Sequence, residues 1–120
     1  MTQEQKDILL KDLCSRLPYG VKGEKYTIRM DGEFVPLIDV ETIIAEDIIT
    51  LNGCPGYMIR PYLFPLSSMT EEQKTSHNFL KHSAYANPIK LVDWYNKNHF
   101  DYRGLIPMGS AIDATGKNIY

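Results

Sequence analysis

The stretch NHFDYRG gathers more chemically able side chains than any other part of the chain. His99 is a base that titrates near neutrality. Asp101 is an acid, Tyr102 brings a hydroxyl on a ring, and Arg103 is a planar fork of donors suited to a carboxylate or a phosphate. Upstream, Arg60 and Tyr62 in RPYLF add a second cation and a ring with a polar tip. These six residues are the candidates for a binding site. An enzyme would use His99 with Asp101 for acid–base work. The same residue types also occur where Asp101 pairs with Arg103 at a helix exit and the rings pack around them. Structural ion pairs imitate active sites in this way. That plainer reading is favoured, so no catalytic residue is assigned.

Other chemistries find less support. His77 and His82 are five positions apart, which on a helix sets them about 140° apart. They cannot share a metal as an i,i+4 pair does. A metal site would need carboxylates brought in by the fold, and no metal is expected. Cys14 and Cys54 lack the paired spacing of a zinc knuckle or a redox motif. Cys54, in NGCPG, has no neighbouring base to activate it. Ser67-Ser68 lacks the glycine-flanked elbow of a hydrolase. GLIPMGSAIDATG is too irregular for a phosphate loop and lacks the Lys-Ser/Thr that closes one. No cofactor is implied.

The chain of 120 residues fits one domain with its own core. It is 43% hydrophobic and 23% charged, with a net charge of −2. Thirteen basic residues interleave with fifteen acids. A nucleic-acid binder shows a basic stripe instead, so the electrostatics argue against one. The N-terminal MTQEQKDILLKDL is polar and amphipathic, unlike a secretory leader, and no stretch has the length of a membrane span. With two cysteines and no disulfide framework, a reduced cytoplasmic protein is expected.

The elements that would position the candidates follow from local pattern. Thr2 and Gln5 form a capping box for a first helix. Leu9, Leu10, Leu13, Cys14 and Leu17 make its apolar face, with Ile8 outside the stripe. Pro18 and Gly20 stop it. Tyr26, Ile28 and Met30 alternate with polar residues as in a half-buried strand. Asp31-Gly32 predicts a hairpin of type I′. Pro36 places the second strand at an edge or a bulge. Residues 41–51 carry a spacing that fits a helix, but their Ile and Thr content favours a strand broken near Ala45-Glu46-Asp47. GYMIRPYLF is extended, since Arg60 and Phe64 precede prolines. RPYLFPLSSMTEEQK then leads into a second helix, capped by Thr70 and Gln73. That helix spans about 71–83, is polar nearly all round, and is anchored by Phe79 and Leu80. Asn87 and Pro88 open a third helix. Its Ile89, Leu91, Val92, Trp94 and Tyr95 should make it the most buried of the three. The tail packs through Leu105, Ile106 and Ile112, with its last residues frayed. The fold class expected is α+β: a small antiparallel sheet covered by the first and third helices, with the second helix and the proline segment at the surface.

RPYLFPLSSMTEEQK and NHFDYRGLIPMGSAIDATGKNIY resemble segments of small uncharacterised proteins of gut anaerobic bacteria and their phages or mobile elements. The likeness covers mainly residues 60–74 and 91–120. Ser110 stands where that family more often has a larger apolar residue. The resemblance implies a setting, an intracellular accessory protein, and no activity, cofactor or site residue.

Four functions can be ranked from this. The first is a non-enzymatic interaction protein that binds a protein partner or itself, because tyrosine-rich segments suit interfaces; it predicts an apolar patch containing Ile8 or Tyr62. The second is a small-ligand binder with a pocket near Arg60 or Arg103. The third is an enzyme in which His99 and Asp101 converge in a cleft. Nucleic-acid binding comes last.

Overall fold

Thr2 opens the chain's first helix through the reciprocal bonds its sequence predicts: its hydroxyl accepts from Gln5 N–H and the Gln5 side chain accepts from Thr2 N–H. The computed structural model describes residues 2–29, 31–84 and 86–120, the side chains of Ile38 and Asp39 apart. Helix α1 runs Gln3–Arg16. A 3-10 turn, Leu17–Tyr19, then closes on Gly20, whose φ of 66° lets its N–H reach back to Leu17. Strands β1 (Lys22–Ile28) and β2 (Phe34–Thr42) form an antiparallel pair. Helix α2 spans Ala45–Gly53 and strand β3 spans Tyr57–Leu63. Helices α3 (Glu71–His82) and α4 (Pro88–Lys97) follow, and a two-residue strand β4, Ile112–Asp113, ends the order. The sheet order is β2-β1-β3-β4. The first three strands are antiparallel, as expected, and β4 joins β3 in parallel. The fold is α+β.

Several local expectations hold. Thr70 and Gln73 cap α3 reciprocally. The Asn87 side chain accepts from Ile89 and Lys90 N–H to cap α4. Pro36 lies on β2, which is an edge strand. Gly32 occupies the left-handed region at φ 83°. Gly32 N–H bonds Arg29 C=O and Arg29 N–H bonds Glu33 C=O, so the hairpin closes over a longer loop than a two-residue type I′ turn. Met30 lies outside the described residues.

The clearest correction concerns residues 41–51. The strand ends at Thr42, and a helix starts at Ala45. Ile43, Ile48 and Leu51 are buried in the core while Ile44 and Ile49 face out, Ile49 at 71% exposure. That is helical spacing. The Asp47 carboxylate accepts Ile44 N–H at 2.9 Å and fixes the first turn. A local cap and a buried face together outweigh the strand preference of isoleucine and threonine.

The main core gathers Leu9 and Leu13 of α1, Ile48 and Leu51 of α2, and Met58, Ile59 and Leu63 of β3. It is therefore α1 and α2 that back the sheet. Cys14 is exposed, and Ile8, Leu10 and Leu17 pack partly against this core. The buried stripe of α1 is rotated from the one expected, because the Asp12–Arg16 pair turns inward. Helix α4 serves a second cluster of Met69, Tyr95 and Phe100, flanked by Phe64, Leu91, Trp94 and Tyr102. It is not the most buried helix: Ile89 is 76% exposed, and Val92 is exposed too. Phe79 of α3 is also exposed. His77 also anchors that helix, lying 5.5 Å from the Tyr95 ring with Nε2 2.7 Å from the Tyr95 hydroxyl.

The proline segment is at the surface only in its second half, where Leu66 and Ser67 are exposed and Phe64 and Pro65 half-buried. Pro61, Tyr62 and Leu63 are buried in the central strand β3. Pro61 lies opposite Gly23. A Cβ on Gly23 would sit 2.8 Å from the Arg60 carbonyl oxygen and 3.1 Å from Pro61 Cα. The two backbones can approach there because this residue has no side chain.

Candidate functional site

The backbone between α4 and the tail decides where the four NHFDYRG candidates point. His99 sits at φ 61°. Its carbonyl accepts from Phe64 N–H at 2.8 Å, and Asp101 N–H donates to Phe64 C=O at 2.9 Å. Phe64 and Phe100 thus form an isolated parallel bridge. The positive φ of His99 departs from extended backbone, so strand alternation does not govern this stretch, and each candidate finds a different neighbour.

Asp101 turns onto the following loop. Its carboxylate accepts from Leu105 N–H at 2.9 Å and Ile106 N–H at 2.8 Å. Arg103 does not pair with it. Arg103 reaches α1, donating to Asp12 Oδ1 at 2.9 Å and to Ser15 Oγ at 3.2 Å. Asp12 also receives two bonds from Arg16: Nε to Oδ2 at 2.8 Å and Nη2 to Oδ1 at 3.1 Å. Asp12 and Arg16 are both 0% exposed. Arg16 Nη2 donates onward to the Phe100 carbonyl. Tyr102 lies beneath these cations, with Arg103 4.6 Å and Arg16 5.4 Å from its ring centre. Its other partner is Tyr95, stacked at 5.1 Å and 17°. The Asp12 carboxylate holds Arg16 bidentately and Arg103 through one bond, while Arg16 Nη1 stays buried without a partner among the described residues. The carboxylate ties α1 of the main core to the loop of the second cluster.

His99 goes elsewhere. Its ring stacks on Tyr120 with centres 3.6 Å apart and planes 7° from parallel. Burial, then the charges of Arg16 and Lys22, push its pKa down to about 4. Its Nδ1 is buried without an acceptor or donor among the described residues. The Tyr120 hydroxyl donates to Tyr62 C=O at 2.7 Å and accepts Lys22 N–H at 2.9 Å. Burial first among causes raises the Tyr120 pKa to about 12. The last residue is docked by these bonds, not frayed. His99 and Asp101 point apart, so the acid–base pair that an enzyme reading requires does not assemble.

Arg60 and Tyr62 lie on the sheet. Arg60 pairs in register with Glu24 of β1. Glu24 does not bond to it; its two carboxylate oxygens accept the hydroxyls of Tyr26 and Tyr62. Arg60 instead lies 5.4 Å from both the Tyr26 and the Phe34 ring centres. Tyr62 is buried and so is no surface handle. The apolar patch predicted at Ile8 or Tyr62 is not there. Among the described residues the exposed large apolar side chains include Phe34, Leu37 and Val40 of β2 and Ile44 beside it.

Sequence reading missed three charged groups, two centred on a carboxylate and one on a lysine. Asp12 with Arg16 left a signal, an acid four residues before an arginine on one helix. Glu24 between two tyrosine hydroxyls left none, because Tyr62 is brought in from another strand. Lys25 is likewise paired from afar, with Asp47 at 2.9 Å and Glu41 at 3.0 Å. Burial would lower the Lys25 pKa, but the bonds and charges of Asp47 and Glu41 outweigh it and raise the value. No cluster of three or more His, Cys, Asp or Glu residues able to hold a metal occurs among the described residues. Cys14 and Cys54 are free and exposed. No helix among the described residues is long and apolar enough to cross a membrane. Neither a family model, nor a curated protein, nor a solved structure matches the chain.

Proposed function

We propose that this chain is a non-enzymatic interaction protein that takes a basic, extended segment of a partner protein onto the free edge of β2. The observation that supports this is the edge itself. β2 is nine residues long and, among the described residues, pairs only with β1. An edge of that length presents backbone N–H and C=O groups to a new strand. Leu37 at 54% exposure, with Phe34 and Val40, supplies apolar contact beside it.

Charge selects the partner. Residues 31–47 hold six acids and no lysine or arginine; Glu41 and Asp47 answer Lys25 and Glu33 lies 3.8 Å from Arg29, yet acids still outnumber the cations beside them. A second copy of β2 would set acids against acids, and Pro36 interrupts its ladder. These are devices that keep an edge from joining its own copies. A strand carrying lysines or arginines meets no such repulsion. The cellular setting that accompanies this proposal is the cytoplasm, in an accessory protein of a bacterium or its mobile element.

The test is hydrogen exchange with a synthetic peptide of alternating lysine and valine, against a glutamate–valine peptide of the same length. The basic peptide should slow amide exchange within residues 34–42 and lose its effect as salt is raised. A Val40→Pro variant should bind it at least about tenfold more weakly, since a proline removes a ladder donor. Equal protection by both peptides, or protection confined to other segments, would overturn the proposal.

A further inference from the structure

On β3, the cation Arg60 has no ion-pair partner among the described residues. Arg60 lines a cavity of about 240 Å³ together with Gln5, Phe34, Met58, Met108 and Ser110. Its guanidinium makes no hydrogen bond or ion pair with the described residues, and its Nε is closed off from solvent without an acceptor. The rings of Tyr26 and Phe34 hold it in place. Cation–π contact orients a guanidinium but leaves its in-plane donors free.

The nearest carboxylate by register, Glu24, is occupied by two tyrosine hydroxyls. That arrangement keeps the acid from folding onto Arg60. The adjoining depression shares Phe34 and Met58, adds Lys6, and has no acid in its lining. Ser110 is buried, and its hydroxyl makes no bond to a described residue while it lines the cavity. Gln5 is at the rim on α1, its amide oxygen held by Thr2 N–H and its NH₂ group left available to donate. Arg60, Ser110 and Gln5 therefore bring donors to the cavity lining, and Met58, Met108 and Phe34 bring apolar surface to it, with Phe34 beside the guanidinium.

We propose that this cavity binds a small organic carboxylate, with the carboxylate on Arg60 and Ser110 and an apolar body against Met58, Met108 and Phe34. Planar, bidentate recognition of a carboxylate is what a fixed guanidinium does well. The cavity is a little smaller than the roughly 300–1,000 Å³ of drug-sized sites, which suits a molecule about the size of benzoate. This site shares Phe34 of β2 with the edge proposal but does not rest on it, since its test reads Arg60, Met58 and Met108.

The probe is benzoate itself, titrated into protein labelled at methionine methyls and at arginine Nε, and followed by NMR. Benzoate should shift the Arg60 Nε–H and the Met58 and Met108 methyl signals saturably. Benzamide, the neutral analogue, should bind at least about tenfold more weakly, because the charge-assisted bonds are lost. Inorganic phosphate should compete only weakly, since it leaves the apolar wall unfilled. Arg60→Gln should abolish saturable binding while the amide spectrum shows an intact fold. If that variant does not fold, Ser110→Ala carries the test, with an expected loss of about three- to tenfold. Equal affinity for benzoate and benzamide would overturn the proposal, as would phosphate binding more tightly than benzoate. Unchanged binding in Ser110→Ala would do the same.

Discussion

Replacing Asp12 by alanine should be among the most damaging single changes in this chain. The carboxylate accepts three hydrogen bonds, two from Arg16 and one from Arg103, at 2.8, 3.1 and 2.9 Å. Its removal leaves Arg16 fully buried with its charge unanswered, beside a second guanidinium. Arg103 has a 19% exposed side chain and can turn toward water, whereas Arg16 cannot. Breaking a buried pair from one side costs about 3–5 kcal/mol. Against a domain stability of about 5–15 kcal/mol, that is a large share. For a chain of this length it lowers Tm by roughly 10–20 °C. Urea unfolding followed by circular dichroism, with calorimetry for Tm, measures it. The double variant Asp12→Leu with Arg16→Met separates the cost of an orphaned charge from that of lost packing. It removes both charges and keeps apolar volume, so it should be more stable than Asp12→Ala. An Asp12→Ala variant within about 1 kcal/mol of the parent would refute the reasoning, as would a double variant whose loss equals the sum of the two singles.

Three further outcomes follow from the same geometry. Gly23→Ala should destabilise by about 1–3 kcal/mol, read as a lower urea midpoint, because the added Cβ meets backbone atoms of Arg60 and Pro61 that cannot turn aside. His99, held near a pKa of about 4, is neutral in the fold where the unfolded chain takes a proton near pH 6.5. Its contribution is therefore complete above about pH 6.5 and declines as pH falls toward 4, by roughly 1–2 kcal/mol after discounting for partial solvent contact. His99→Asn tolerates the positive φ and should flatten that part of the stability–pH curve relative to the parent. Lys25 behaves oppositely. Its pKa is raised in the fold, so its stabilisation is complete below about pH 10.4 and is lost as pH rises through the folded value. Lys25→Met should remove this alkaline loss in denaturant melts between pH 9 and 11.5.

What the chain settles by itself is local. The capping pairs Thr2–Gln5 and Thr70–Gln73, the Asn87-Pro88 start, the Gly20 stop and the edge position of Pro36 each depend on residues within a few positions of one another. Their chemistry acts at that range, so the helices and the hairpin are readable in sequence, and so is an α+β class. Residues 41–51 mark the limit of this. Their side chains favour a strand, their spacing permits a helix, and Asp47 with the burial of Ile48 and Leu51 decides between them. The candidate site was legible only as residue types. That Asp101 would cap the next loop, that Arg103 would cross to Asp12, and that His99 would stack on Tyr120 depend on which neighbouring element each side chain meets. Partners 91 and 38 positions apart, Arg103 with Asp12 and Tyr62 with Glu24, leave no mark in local pattern. Buried charge must be answered wherever the fold supplies an opposite charge or a polar group. Tertiary structure alone decides where that is, and here it spends most of the conspicuous side chains on holding the fold. Arg60, His99 and Tyr102 each keep a buried polar side-chain atom without a partner among the described residues, and of these three it is Arg60 that lines the cavity beside Ser110.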